Sequence, residues 1–328
     1  MLPKKTEKFS LLLKIFLTNS CLFLAAFPAN AQWPGSIEQT PSSYYSNALR
    51  AVANGFKSVY CPAQPEPLKN VCSNVPIIVE ETYGIGAFAI RSSGTSRITI
   101  STGMAEMFDA LDWGRIASFE LTGSGVCWQR WAGSYFRSIV SNIRRIGAGL
   151  APVAVPYIEA YAPTDASCRG INSETVRQIK RKNADYHARN VESSLAFVML
   201  HELGHVYNKH MTKSFSSLSV KRAQETEADD LVVAASSRAG QAISNGLFPI
   251  FLIATQGDSL QWEQQSTHPL GVRRGIRIYE QFIEMYSTSS TMIAKIPGHL
   301  RREHIADLQA AVQGLRRCEA RIDDGQPC

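Results

Sequence analysis

The sequence lacks three features that would have indicated particular classes of protein. No low-complexity linker follows residue 40, which favours one large domain over tethered modules. No basic stripe is interleaved with aromatic residues, which argues against a nucleic-acid-binding surface. No two cysteines have CxxC spacing, which argues against a structural zinc site made of cysteines.

Charged residues are also few, at 19% of the chain, whereas 45% of the residues are apolar. This composition is typical of a globular protein with a sizeable core. The formal net charge is +6, but residues 1–31 contain four Lys and one Glu, so +3 remains for the rest of the chain. No nucleic-acid partner is predicted from so small a charge.

The first 31 residues have the pattern of an export signal. Lysines at positions 4, 5 and 8 precede an apolar stretch over 11–27, and a small-x-small sequence ends at Ala31. We therefore expect cleavage at about Ala31–Gln32 and a periplasmic or secreted protein. An uncleaved membrane anchor is the alternative, although Lys14 interrupts the apolar stretch and leaves it shorter than the roughly twenty residues of a span.

Six cysteines remain after the predicted cleavage, an even number that permits complete pairing in an oxidising compartment. Proximity along the chain predicts three short-range disulfides. They are Cys61–Cys72, Cys127–Cys168 and Cys318–Cys328. Unpaired buried cysteines are the alternative.

The residue periodicity predicts an α+β fold that is mainly helical. A helix is expected over 42–56, a strand over 75–80, a hairpin with strands 87–90 and 97–100, and a helix beginning at 102. From about 113 to 183 the pattern is irregular, and we predict a disulfide-containing insertion there within a domain spanning 32–328. Helices are expected again over 185–210, over 217–239, around Phe248, over 272–285 and over 304–321.

The sequence HELGH places His201 and His205 four residues apart at the end of an apolar helix. Side chains at this spacing project from the same face, so both imidazoles can bind one zinc ion. Glu202 can then reach a water molecule on that metal. The alternative is a pair of surface histidines beside a solvated carboxylate.

A third ligand is expected on the next helix, because catalytic zinc sites generally use three protein ligands and leave one position for water. Glu225 is the candidate. Asp229 lies one turn further on and can accept a hydrogen bond from a ligand imidazole. Without HELGH, the same acidic cluster would be read as an exposed helix face.

HELGH followed by E-x-x-A-D resembles the gluzincin metallopeptidases that include HtpX, BepA and the CAAX prenyl proteases. The segments 86–89 and 98–103 are similar to that family's N-A-F-A…I-x-V-x-x-G element, with Gly86 in place of Asn. The segment 266–269 with Arg274 is similar to its S-T-H-P motif and following Arg. The resemblance covers about 75–112 and 186–282. Gly275 and the long stretch before HELGH depart from the family pattern.

The resemblance implies a zincin fold and a zinc endopeptidase that acts on polypeptides, with one zinc ion per chain. Glu202 would remove the proton of the zinc-bound water. His268 and Arg274 would stabilise the oxyanion, although either can instead be structural, and His268 can occupy the open zinc position in a resting form. A separate hypothesis is that an extended peptide binds to the free edge of the hairpin as another strand, and the alternative is an ordinary edge strand of a small sheet.

Two other functions stay open. One is a non-proteolytic or latent zinc-binding chaperone or quality-control protein of the cell envelope, and the other is a secreted effector with the same chemistry. Retention of Glu202 favours the enzyme, since a structural zinc site needs no base. The substrate, the oligomeric state and peripheral association with a membrane are left open by the sequence.

Overall fold

The computed structural model describes residues 42–82, 84–212, 217–241, 243 and 271–326. The predicted signal peptide, the helix around Phe248, His268 and Cys328 lie outside these residues. In chain order the elements are α1 (Ser42–Tyr60), α2 (Leu68–Asn74), β1 (Ile77–Glu80), β2 (Ala87–Ser92), β3 (Thr95–Ser101), α3 (Thr102–Thr122), α4 (Val126–Gly147), α5 (Ile158–Tyr161), α6 (Ser173–Tyr207), α7 (Leu218–Ala239), α8 (Gly271–Thr288), α9 (Ser290–Lys295) and α10 (Gly298–Asp323).

The described residues are mostly helical with one small sheet, which confirms the α+β class. Helix α6 begins at a capping box, in which Asn172 and Thr175 satisfy each other's backbone N–H groups. It packs against α3, α7, β2 and α1 and buries most of its length in the core. None of the described helices is both long enough and apolar enough to span a bilayer.

The sheet has three strands in the order β1-β3-β2, with β1 parallel and β2 antiparallel to β3. The predicted hairpin is confirmed: Ala89 pairs with Ile98, and Gly94 takes a φ of 82° in the turn. At such a positive φ a glycine has no Cβ to clash with the backbone. Strand β2 lies at the edge of the sheet, beside α6.

Much of the segment between 113 and 183 is helical, although its sequence pattern is irregular. Helix α3 continues to Thr122, α4 follows directly, and α6 begins at Ser173. Glycine in this segment serves close packing, since a Cβ on Gly114 would lie 2.1 Å from the ring of Trp131. Asn183 has non-helical backbone angles inside α6, two residues before the point from which the sequence predicted a helix.

Two predicted disulfides are confirmed. Cys61 is bonded to Cys72, with 5.4 Å between their Cα atoms, and this bond ties the end of α1 to α2. Cys127 is bonded to Cys168, with a Cα separation of 4.9 Å, and ties α4 to the segment before α6. Cys318 is also disulfide-bonded, while its predicted partner is not among the described residues.

A buried polar network joins α1, α3 and α6. His187, fully buried on α6, contacts Asp109 through Nε2 at 2.8 Å and Asp112 through Nδ1 at 2.9 Å. Asp112 also accepts two hydrogen bonds from Arg115, at 3.0 and 2.6 Å. Tyr45 of α1 donates its hydroxyl proton to Asp109 at 2.9 Å. These bonds fix the orientation of α6 on α3.

Candidate metal centre

The end of helix α6 holds His201 in a buried position and His205 in a partly buried one. Leu200 and Leu203 are fully buried, so the helix cannot rotate without exposing them. His201 is 7% exposed. The Nε2 atoms of His201 and His205 lie 3.1 Å apart and therefore point at a common position.

Helix α7 brings Glu225 to the same position. Its Oε2 lies 3.2 Å from Nε2 of His201, and its Oε1 lies 3.4 Å from Nε2 of His205. The glycine of HELGH makes this approach possible, because a Cβ on Gly204 would lie 2.8 Å from the Cα of Ala228. The small residues at this crossing thus set the distance between the two ligand-bearing helices.

The three side chains have separations that suit a zinc ion. Zinc bonds of about 2.0–2.1 Å in a tetrahedron place neighbouring ligand atoms about 3.3 Å apart. The two Nε2 atoms are 3.1 Å apart, and each lies near a different oxygen of Glu225, at 3.2 Å for His201 and 3.4 Å for His205. Two imidazole nitrogens and one carboxylate oxygen are also a ligand set of known catalytic zinc sites. The residues present therefore fit the metal that the sequence predicted.

Asp229 fixes the ring of His201. Its Oδ1 lies 3.0 Å from Nδ1 of His201. If Nδ1 carries the proton, it donates to Asp229, and Nε2 keeps its lone pair for a metal. Asp229 is itself 1% exposed and accepts two hydrogen bonds from Arg274, at 2.8 and 2.7 Å. Burial opposes ionisation, but Arg274 and His201 hold the pKa of Asp229 far below its usual range.

Arg274 was predicted to stabilise the oxyanion. In the structure two of its nitrogens are bonded to Asp229, and a third lies 3.9 Å from Oε2 of Glu225. Its guanidinium thus holds the carboxylates that orient and supply the metal ligands.

His205 has its own chain of partners, which sequence reasoning missed. Its Nδ1 lies 2.9 Å from Nδ1 of His210, and Nε2 of His210 lies 2.9 Å from Oε2 of Glu227. If His210 donates Nε2–H to Glu227, its Nδ1 accepts the proton of His205, and Nε2 of His205 is left for a metal. The available signals were a histidine five residues after His205 and a carboxylate two residues after Glu225.

Glu202 lies between the ligand helix and the edge of the sheet. It is 8% exposed, and its Oε2 accepts a hydrogen bond of 2.6 Å from the backbone N–H of Ala89 in β2. Burial raises the pKa of Glu202, although His201 and His205 oppose this increase. A carboxylate with a raised pKa is better suited to accept a proton near neutral pH.

Comparison with protein-family models, curated proteins and solved structures finds no match to this chain. Its function must therefore be argued from the geometry of this centre and from the motifs that carry it.

Proposed function

We propose that this protein is a gluzincin-type zinc endopeptidase that hydrolyses polypeptides outside the cytoplasm. The observation that carries the proposal is the convergence of His201, His205 and Glu225 at separations that suit zinc, with the carboxylate of Glu202 beside them. A structural zinc site has no need of such a base.

In the proposed reaction His201, His205 and Glu225 hold one metal ion per chain. When bound, zinc supplies a Lewis acid that makes water more acidic and polarises the carbonyl of the substrate. Glu202 accepts a proton from the attacking water. As the C–N bond breaks, the same carboxyl returns that proton to the departing amine. Burial of Glu202 supports this exchange, because it brings the pKa of the carboxyl closer to those of the attacking water and the departing amine.

The ligands are held by a network of charged groups. Asp229 orients His201, and Arg274 neutralises and fixes Asp229. His210 orients His205 as Asp229 orients His201. We accordingly assign Arg274 a positioning role, in place of direct contact with the reacting carbonyl.

The outer edge of β2 is the proposed place for the substrate backbone. The Ala89 N–H points away from β3 towards Glu202, which shows that this side of the strand faces the centre. An extended peptide that adds beside β2 would lie along the metal ligands with little demand on its sequence. In this structure the hydrogen bond from the Ala89 N–H occupies the carboxylate of Glu202. A latent zinc-binding protein is therefore the second candidate function.

Export is part of the proposal. The two disulfides support an oxidising compartment, in agreement with the signal peptide predicted at 1–31. The experiment that tests the function compares casein cleavage by the oxidised, zinc-loaded protein and by its Glu202→Gln variant.

Replacing His210 by Ala is expected to weaken zinc binding by about 10- to 100-fold, the usual cost of removing a residue that orients a ligand histidine. Asn at this position offers its Oδ1 where His210 offers Nδ1, so His210→Asn should retain most of the affinity. Competition with a chromophoric chelator measures both values. Equal affinities of His210→Ala and the wild type would contradict the orienting role.

A further inference from the structure

The apolar face of helix α4 continues beyond the core. Trp128, Trp131 and Tyr135 are buried on this face. At the same helical spacing, Ile143 and Ile146 follow, and they are 40% and 41% exposed. Among the described residues, the only segment bonded to this last part of the helix from outside it is the loop that follows.

The loop after α4 extends the exposed apolar surface. From Ile146 to Pro156 no residue has a polar side chain, and all residues of 147–154 are exposed. Leu150 and Val153 are 54% and 49% exposed. The loop is nevertheless anchored, because the amide of Asn142 exchanges hydrogen bonds of 2.7 and 2.8 Å with the backbone of Val153. We call Ile143, Ile146 and residues 147–154 the apolar tip.

The surroundings of the apolar tip are positively charged. No acidic residue occurs between Leu121 and Ile158, whereas four arginines do. Arg130 is paired with Asp165. Arg137, Arg144 and Arg145 form no ion pair within the part of the chain that the structure describes. By helical spacing Arg137 and Arg144 lie on the face opposite the apolar one, and Arg145 lies near its edge.

We propose that the apolar tip inserts into the surface of a membrane that contains anionic lipid. An exposed, contiguous apolar surface marks an interaction site. A helix with one apolar face and arginines on its polar face is suited to lie in the interface between headgroups and acyl chains. The arginines would contact lipid phosphates, and the apolar side chains would enter the hydrocarbon. This proposal is independent of the zinc centre.

The chemistry of the loop favours lipid over a protein partner. Protein interfaces generally carry about one hydrogen bond per 100–200 Å². Residues 147–154 offer only backbone groups for such bonds, whereas acyl chains require none. The arginines add a preference for phosphate that a neutral protein surface would not satisfy.

Vesicle sedimentation tests the proposal with the protein purified after export. Binding should be at least about 10-fold stronger to mixed phosphatidylcholine and phosphatidylglycerol than to phosphatidylcholine alone. The double variant Leu150→Asp/Val153→Asp should lose at least about 10-fold of that binding. The matched control is Val220→Asp/Ile293→Asp, which places the same charges at exposed apolar positions elsewhere and should bind as the wild type does.

A second variant separates the electrostatic contribution. Arg137→Gln/Arg144→Gln should reduce the preference for phosphatidylglycerol and the sensitivity to salt. Thermal unfolding verifies that each variant is folded. All variants share one N-terminus, so any lipid binding by that segment contributes equally.

Three results would overturn the proposal. They are failure of the wild type to bind anionic vesicles, unchanged binding by Leu150→Asp/Val153→Asp, and equal losses in that variant and its control. Self-association that Leu150→Asp/Val153→Asp abolishes, without vesicle binding by the wild type, would assign the apolar tip to contact between copies of the chain.

Discussion

Replacing Glu202 by Gln is expected to lower casein cleavage by about 10²- to 10⁴-fold, the usual contribution of a general base. Gln has nearly the same shape and can still accept the hydrogen bond from Ala89, but it cannot take a proton from water. Glu202 is not among the three metal-directed groups, so zinc content should stay at the wild-type level. Cleavage assays and metal analysis on the same samples measure both quantities.

The matched control is Glu192→Gln, the same substitution on the same helix. Glu192 is 5% exposed, and burial raises its pKa to about 7 against the opposing effect of Arg189. It belongs to none of the contacts described for the metal centre, so this variant should cleave casein as the wild type does. Undiminished cleavage by Glu202→Gln would remove the base from the mechanism. If the wild type binds zinc but does not cleave casein, the result would favour the non-proteolytic zinc-binding chaperone.

Replacing Asp112 by Ala is expected to lower the free energy of unfolding by about 3–5 kcal/mol. The substitution leaves Arg115 and His187 buried without the carboxylate that both of them contact. Glu174→Ala is the control, because it breaks an exposed pair with Arg177 and should cost about 1 kcal/mol or less. Urea unfolding measures both differences. A loss for Asp112→Ala as small as that of the control would contradict the importance of the network.

The same network predicts a dependence on pH. Burial opposes protonation of His187, but its bonds to Asp109 and Asp112 raise its pKa above the ordinary value. The stability from protonated His187 is therefore complete below an unfolded-state pKa of about 6.5 and is lost as the pH rises through the folded-state pKa. The difference in unfolding free energy between wild type and His187→Gln should accordingly shrink at alkaline pH. A difference that grows there would contradict this assignment.

The sequence predicted those parts of the molecule in which the partners are near in the chain or share a regular period. His201 and His205 are one turn apart, the hairpin has its own turn, and Cys61 and Cys72 close a short loop. Helix spacing also placed Glu225 and Asp229 on one face. Each of these inferences needs only local geometry.

Features that depend on contacts between distant segments were not predicted. The sequence did not indicate that Gly114 makes room for Trp131 across a helix crossing. For Arg274 the sequence predicted either an oxyanion ligand or a structural role, and its two bonds to Asp229 were not anticipated. The pairing of His210 with both His205 and Glu227 requires the end of α6 and helix α7 to be placed together, which no periodicity specifies.

The central claim is tested most directly by the zinc content of the protein after it has been loaded with zinc and the excess has been dialysed away. The wild type should retain one zinc ion per chain, and Glu225→Ala, which removes one of three converging ligands, should retain almost none. Glu174→Ala, the same substitution at an exposed glutamate paired with Arg177 and outside the contacts of the centre, should still retain the ion and thus serves as the control. A wild type without zinc, or Glu225→Ala with as much zinc as the wild type, would contradict the account.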